Sequence, residues 1–258
     1  MRTGRVSRLD KETVRDRSVL RVNVPSVPGN NPDCESMEKA ASALAEAGKP
    51  YRKKVWESYG LELRAVGRHL ELARPGNAAE WQFLRRLERH LTRPATEPAA
   101  TEALRMVRQR DGVNLALDRL PQRLAPGCRM RLGPAWASSI PGGSRILYPE
   151  ADETSWRQTV RQMMDRDDRP LTSAIILLGI TVLAHPVTDG NGRLSRALFW
   201  LTLMHHDIVP CPVAPLGLEQ DLQSIAMIGA MRELSRSGDW EPFCESVAQL
   251  VLRAVCLV

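Results

Sequence analysis

The chain has 258 residues, 43% of them hydrophobic and 26% charged, with a formal net charge of +6, the composition of an ordinary soluble protein able to bury a substantial core. Its arginines are spread among acids without an aromatic-interleaved basic patch, so nucleic acid is not an expected partner. Five cysteines, Cys34, Cys128, Cys211, Cys244 and Cys256, are odd in number and lack metal-ligand spacing, which argues against a disulfide framework or a zinc site and for a reducing, cytoplasmic compartment.

Met1 to about Asn31 is basic, poor in large apolar residues and ends in Pro25, Pro28, Gly29 and Asn30, so residues 1–35 are expected to be a flexible basic tail without a secretory segment. Ser36 to Ala47 predicts a short helix stopped by Gly48 and Pro50. Tyr51 to Ala73 predicts an amphipathic helix with Tyr59, Leu63, Val66 and Leu70 inward. Asn77 and Glu80 form a capping box for the next helix, whose inner stripe is Trp81, Leu84, Leu87 and Leu91. After a break at Pro94 to Ala100, Glu102 to Arg110 reads as helix, and a further short one ends before Pro121.

From Gly127 the pattern changes. Cys128, Met130 and Leu132 alternate with Arg129 and Arg131, and Arg145 to Pro149 follows a loop, which predicts a small hairpin. Thr154 to Asp165 is helical, with Trp156, Val160 and Met163 on one face. The apolar run Leu171 to Ala184 is shorter than the ~20 residues a bilayer requires and includes Thr172, Ser173 and Thr181, so it is read as a buried core helix. Asp167, Asp168, His205 and His206 have no ligand partner at a suitable spacing and are read as structural. Leu222 to Leu234 and Pro242 to Leu257 supply the closing helices.

Chemistry concentrates in the loop after that core helix, His185-Pro186-Val187-Thr188-Asp189-Gly190-Asn191-Gly192-Arg193-Leu194-Ser195-Arg196. Leu194, Ala197, Leu198, Leu201 and Met204 recur at helical spacing, so the motif joins two helices. A glycine-rich turn opening a helix can aim successive N–H groups at one point, a site suited to phosphate or pyrophosphate. Arg193 and Arg196 lie one turn apart and can clamp phosphate oxygens. Asp189 is the hard oxygen ligand that a magnesium ion takes together with substrate phosphates. His185 titrates near neutral pH and is the candidate general base.

The segment resembles the Fic-domain signature His-Pro-Phe-x-(Asp/Glu)-Gly-Asn-Gly-Arg-x-x-Arg, departing only at Val187 in place of Phe. About seven specified positions at roughly 5% usage each put a chance occurrence on the order of one in a billion per start site. The resemblance implies a mainly α fold, a Fic-like helical bundle with a small β-hairpin flap, its catalytic core spanning residues 101–258 after an N-terminal helical region at 36–100. It implies AMP transfer from ATP to a Ser, Thr or Tyr hydroxyl of a target protein, with Mg2+. His185 would take the hydroxyl proton and Asp189 would hold the metal. Gly190, Asn191 and Gly192 would cradle the phosphates, and Arg193 and Arg196 would bind the outer ones. Ile140, Arg145 and Ile146 are the flap candidates. Many family members carry an inhibitory Ser/Thr-x-x-x-Glu-Gly/Asn helix whose glutamate pairs with the second motif arginine. Ser42 and Glu46 fit that spacing, with Ala47 departing, although Ser58 to Glu62 and Ser237 to Glu241 share it. Transfer or removal of other groups (UMP, phosphocholine, de-AMPylation) and an inert nucleotide-binding interaction protein are the alternatives. Some Fic-like proteins are injected effectors, so delivery into another cell stays open.

Overall fold

In a computed structural model, residues 19–29, 32, 35–92, 96–109, 112–138 and 145–257 are described. The helices are α1 (Glu35–Gly48), α2 (Leu61–Leu72), α3 (Ala78–Thr92), α4 (Thr96–Val107), α5 (Gly112–Leu124), α6 (Glu153–Met164), α7 (Pro170–Ala184), α8 (Asn191–His205), α9 (Leu216–Leu222), α10 (Ser224–Ser237) and α11 (Glu241–Cys256). The strands are β1 (Val19–Arg21), β2 (Ala135–Ser138) and β3 (Arg145–Tyr148), in sheet order β1-β3-β2. The protein is thus a mainly helical bundle with a small sheet. Among the described residues no helix is long and apolar enough to cross a membrane.

The bundle is built around α7. Twelve of its 15 residues are buried, which is why its sequence is apolar on every side instead of striped. A helix surrounded by partners needs no polar face, and each fully buried Leu or Ile contributes about 1.5–3 kcal/mol. α8 packs along it, α4 covers α8, α6 lies on α7, and α1 and α11 pair on the far side. Gly179 lets α11 come this close, since a Cβ there would stand 2.8 Å from the Phe243 ring. The buried Thr181 hydroxyl accepts from Trp156 Nε1 of α6 at 3.2 Å.

Local signals explain many boundaries. Asn77 caps α3 as read, with Glu80 N donating to Asn77 Oδ1 at 3.0 Å, while the Glu80 carboxylate accepts from Asn77 Nδ2 and from Gly76 N, each at 2.6 Å. Asp152 caps α6 through Ser155 N at 2.9 Å.

Other expectations are corrected. Tyr51 to Ala73 is not one helix: two short 3-10 turns precede α2, and Gly60 starts it at φ 78°. Pro98 sits in the first turn of α4, where its missing N–H costs nothing, so the helix starts at Thr96 and runs across the expected division between residues 100 and 101. Pro121 lies inside α5. α3 packs on one side only, against α2 and α9, so Leu84 and Leu87 are buried with Ala65, Val66 and Leu218 in a second small core while Trp81 is 55% exposed.

The hairpin is also differently built. β2 pairs antiparallel with β3, Ala135 opposite Tyr148 and Ser138 opposite Arg145, while residues 129–131 pair instead with the motif loop. Within the stretch read as a flexible tail, Val19–Arg21 is a strand, parallel to β3 with Val19 opposite Arg145. Val22 N then donates to Leu147 O at 2.9 Å, and Asn23 N to Ser235 Oγ at 2.8 Å. The reason is an unpaired β3 edge, which a passing extended segment can satisfy.

Candidate active site

Residues 185–190 join α7 to α8, and residues 191–196 of the motif form the first turns of α8, as the spacing predicts. His185 is the C-cap of α7, held at φ 50°, ψ 54° with its N–H on Thr181 O at 3.1 Å. This left-handed geometry is uncommon for a residue with a Cβ and is fixed here from several sides. Arg131 does most of the fixing. Its buried guanidinium donates from Nε to His185 O at 2.8 Å and from Nη2 to Ala184 O at 3.0 Å and Pro149 O at 2.6 Å. Nη1 reaches Gly133 O as well. One planar cation thereby satisfies the end of α7, where negative dipole gathers, and ties it to the segments before β2 and after β3.

The imidazole lies under Tyr148 of β3, ring centroids 4.1 Å apart at 25°. Its Nδ1 is buried with no well-formed hydrogen bond among the described residues, and the residue lines the motif cavity. Burial pushes the His185 pKa below its ordinary value and the Arg131 charge acts in the same direction, against the Val182 carbonyl and Asp189. The ring is therefore neutral, in the base form, at neutral pH.

Past it the loop is clamped by its own asparagine. Val187 N donates to Asn191 Oδ1 at 3.0 Å, and Asn191 Nδ2 donates back to Val187 O at 2.7 Å. The Asn191 side chain thus shapes the loop, which leaves the expected phosphate cradle to backbone N–H groups. Val187 is 1% exposed in the main core and bridges Met130, so the apolar anchor is kept by a smaller residue. Thr188 N donates to Arg129 O at 2.9 Å and Arg131 N to Pro186 O at 2.9 Å. Gly190 at φ 81° has no substitute: a Cβ would stand 2.9 Å from that of Ala125.

Among the described residues no side chain caps the start of α8. Its first turn lines a cavity of about 280 Å3 shared with His185, Thr188, Asp189, Arg193 and Arg196, so the helix's positive end is available to an anion. Arg193 Nη1 donates to Leu124 O, and Nη2 lies 3.7 Å from Asp189 Oδ2. Asp189 is 79% exposed at the rim. Arg196 donates from Nη1 to Gln220 Oε1 at 2.8 Å, while its buried Nε has no partner among the described residues. A cationic donor left open beside an uncapped helix start suits a phosphate.

The sequence reading missed three residues next to Arg196. His90 of α3 is held between Glu62 of α2 (Nδ1 to Oε1, 2.8 Å) and Asp221 of α9 (Nε2 to Oδ2, 2.5 Å). The two carboxylates push the His90 pKa up to about 9 despite burial. Burial alone would raise the Glu62 pKa, but His90, Arg196 and the Gly217 N–H hold it below the carboxylate range. Asp221 and His90 line the cavity themselves. The Glu46 carboxylate pairs with Lys49 at 2.5 Å on an exposed face, whereas Glu62, on the Ser58 spacing, is an acid whose charge meets that of Arg196, as Asp221 also does. Of the flap candidates, Ile146 lies in β3, Arg145 begins it, and Ile140 is outside the described residues.

The His90 clamp has a pH signature. Because its folded pKa is raised from 6.5 to about 9, the stability it adds is complete below 6.5 and is lost as pH rises through 9. In urea titrations, wild type should therefore exceed His90→Asn in stability at pH 6, and the gap should vanish by about pH 10; a gap that does not change with pH would refute the charged clamp.

No protein-family model matches the chain, and no curated protein matches it in sequence. Among solved structures it is similar to a Fic family protein from Desulfovibrio desulfuricans G20, with TM-score 0.58 and 16% identity over 88% of this chain and 75% of that one. Fic-1 from C. elegans aligns at TM-score 0.48 and 17% identity, over 86% of this chain and 70% of that one. The chain has a Fic-type fold, on the first of these.

Proposed function

We propose that the protein is a Fic-type nucleotidyltransferase that moves AMP from ATP to a Ser, Thr or Tyr hydroxyl of a target protein. The observation that carries this reading is a neutral imidazole sharing one cavity with an uncapped helix start and two arginines. His185 Nε2 takes the hydroxyl proton as the oxygen bonds to the α-phosphorus. The bond from that phosphorus to the bridging oxygen breaks and pyrophosphate leaves. The α8 amides and Arg193 and Arg196 hold the phosphates, so most of the acceleration comes from positioning and charge neutralisation.

Asp189 would hold a magnesium ion together with phosphate oxygens, since it offers an exposed hard oxygen at the cavity rim. Bound there, the ion would neutralise phosphate charge. Incubation with ATP labelled at the α-phosphate tests the function: label on protein supports it, and nucleotide binding with no label on any protein favours the inert alternative.

Glu62 and Asp221 make this a restrained site, since their charge acts on the arginine assigned to the outer phosphates. Glu62→Gln should raise labelling about tenfold by removing a like charge from the phosphate path. Unchanged labelling, with the fold intact by circular dichroism, would reject the restraint.

A further inference from the structure

A second cavity, of about 510 Å3, lies between the sheet and α10. Its walls are Leu20 and Val22 of the N-terminal segment, Ile146 and Tyr148 of β3, and Ile228 and Met231 of α10, closed at one end by α7. This volume is in the range of small-molecule sites, about 300–1,000 Å3. Arg21, Arg232 and Arg236 also line it, and among the described residues no acidic one does. Arg236 is engaged by Glu233, with Nη2 to Oε1 at 2.8 Å, whereas Arg232 has no carboxylate partner among the described residues. Asn23 and Ser235 complete the polar lining, so among the described residues the slot's charged groups are all cationic, which is complementary to an anionic head on an apolar body. The N-terminal strand already occupies the β3 edge above it, so the slot admits a narrow body between layers and not a further strand.

We propose that this cavity is a second binding site, separate from the motif loop, for a small amphipathic anion whose apolar body lies against the sheet and whose head meets Arg232. Tyr148 links the two sites: it lines the slot, and its ring stacks on His185. An occupant would therefore press on the residue that covers the imidazole.

Decanoate is the probe, measured by calorimetry on the full chain without nucleotide, so the outcome is independent of any transferase activity. Decanoate should bind with 1:1 stoichiometry, and neutral decanol at least about tenfold more weakly. Arg232→Gln should weaken decanoate about tenfold, and Met231→Trp, which fills the slot, should abolish binding while the urea midpoint confirms a folded protein. No decanoate binding to the wild type, or binding that neither substitution changes, would overturn the proposal.

Discussion

The His185→Ala variant should lose AMP transfer by about 10²- to 10⁴-fold, the contribution of a positioned general base, while binding ATP within about threefold of wild type. Binding is spared because the phosphate groups meet the α8 amides and the arginines, not the imidazole. His185 occupies left-handed backbone, where alanine carries a penalty of about 1–2 kcal/mol, so His185→Asn is the better companion: asparagine tolerates that conformation yet cannot act as a base. Both variants inactive and both folded would support the base. Undiminished labelling by either would reject it. The wild-type acidic limb of kcat/KM should also lie below the ordinary imidazole value of about 6.5, because burial and Arg131 lower the His185 pKa and keep the base form present at more acidic pH.

Arg131→Leu should be the most damaging change outside the motif. It leaves the carbonyls of Ala184, His185 and Pro149 without their donor in a buried corner. Hydrogen bonds from a charged group contribute about 1.5–3 kcal/mol each, and losses within one network do not add, so about 3–4 kcal/mol of stability should go. Urea denaturation measures this. Transfer should fall as well, because the backbone that holds the imidazole is no longer pinned. Arg131→Lys should recover little of either, since one ammonium on a flexible stem cannot span carbonyls from three segments. A variant with wild-type stability would show that Arg131 is not what organises the corner.

How far the sequence could lead is visible in these two residues. His185 was legible because a base, a carboxylate, a glycine-rich turn and two arginines fall within one short segment, and chance rarely assembles that. The same locality made the helix cap at Asn77 and the core run at 171–184 readable. Arg131 was not, although it is the residue that makes His185's geometry possible. Its alternation with Cys128, Met130 and Leu132 suggested an outward side chain, yet Arg131 is buried and Leu132 is 90% exposed. The register there is set by pairing with Pro186 and Thr188, and nothing in residues 127–132 announces that partner.

The cluster at Arg196 was illegible for the same reason, since His90, Glu62 and Asp221 come from three helices, with Asp221 131 residues beyond His90. One weak signal existed, the Ser58 to Glu62 spacing, and it could not be ranked above Ser42 to Glu46 without knowing which helix faces the motif. Prolines misled in the other direction. Pro98 and Pro121 read as breaks, but one sits where a helix tolerates it and the other is held within α5 by packing, with Leu117, Leu120 and Leu124 all buried around it.

The segment at Val19–Arg21 has a practical bearing on how the molecule is handled. It shields one side of the central strand of the sheet, so a shortened version starting near Glu35 would leave that side bare beside the apolar slot. Naked strand borders recruit one another between molecules. Material trimmed in this way would self-associate through a surface that the longer chain keeps to itself.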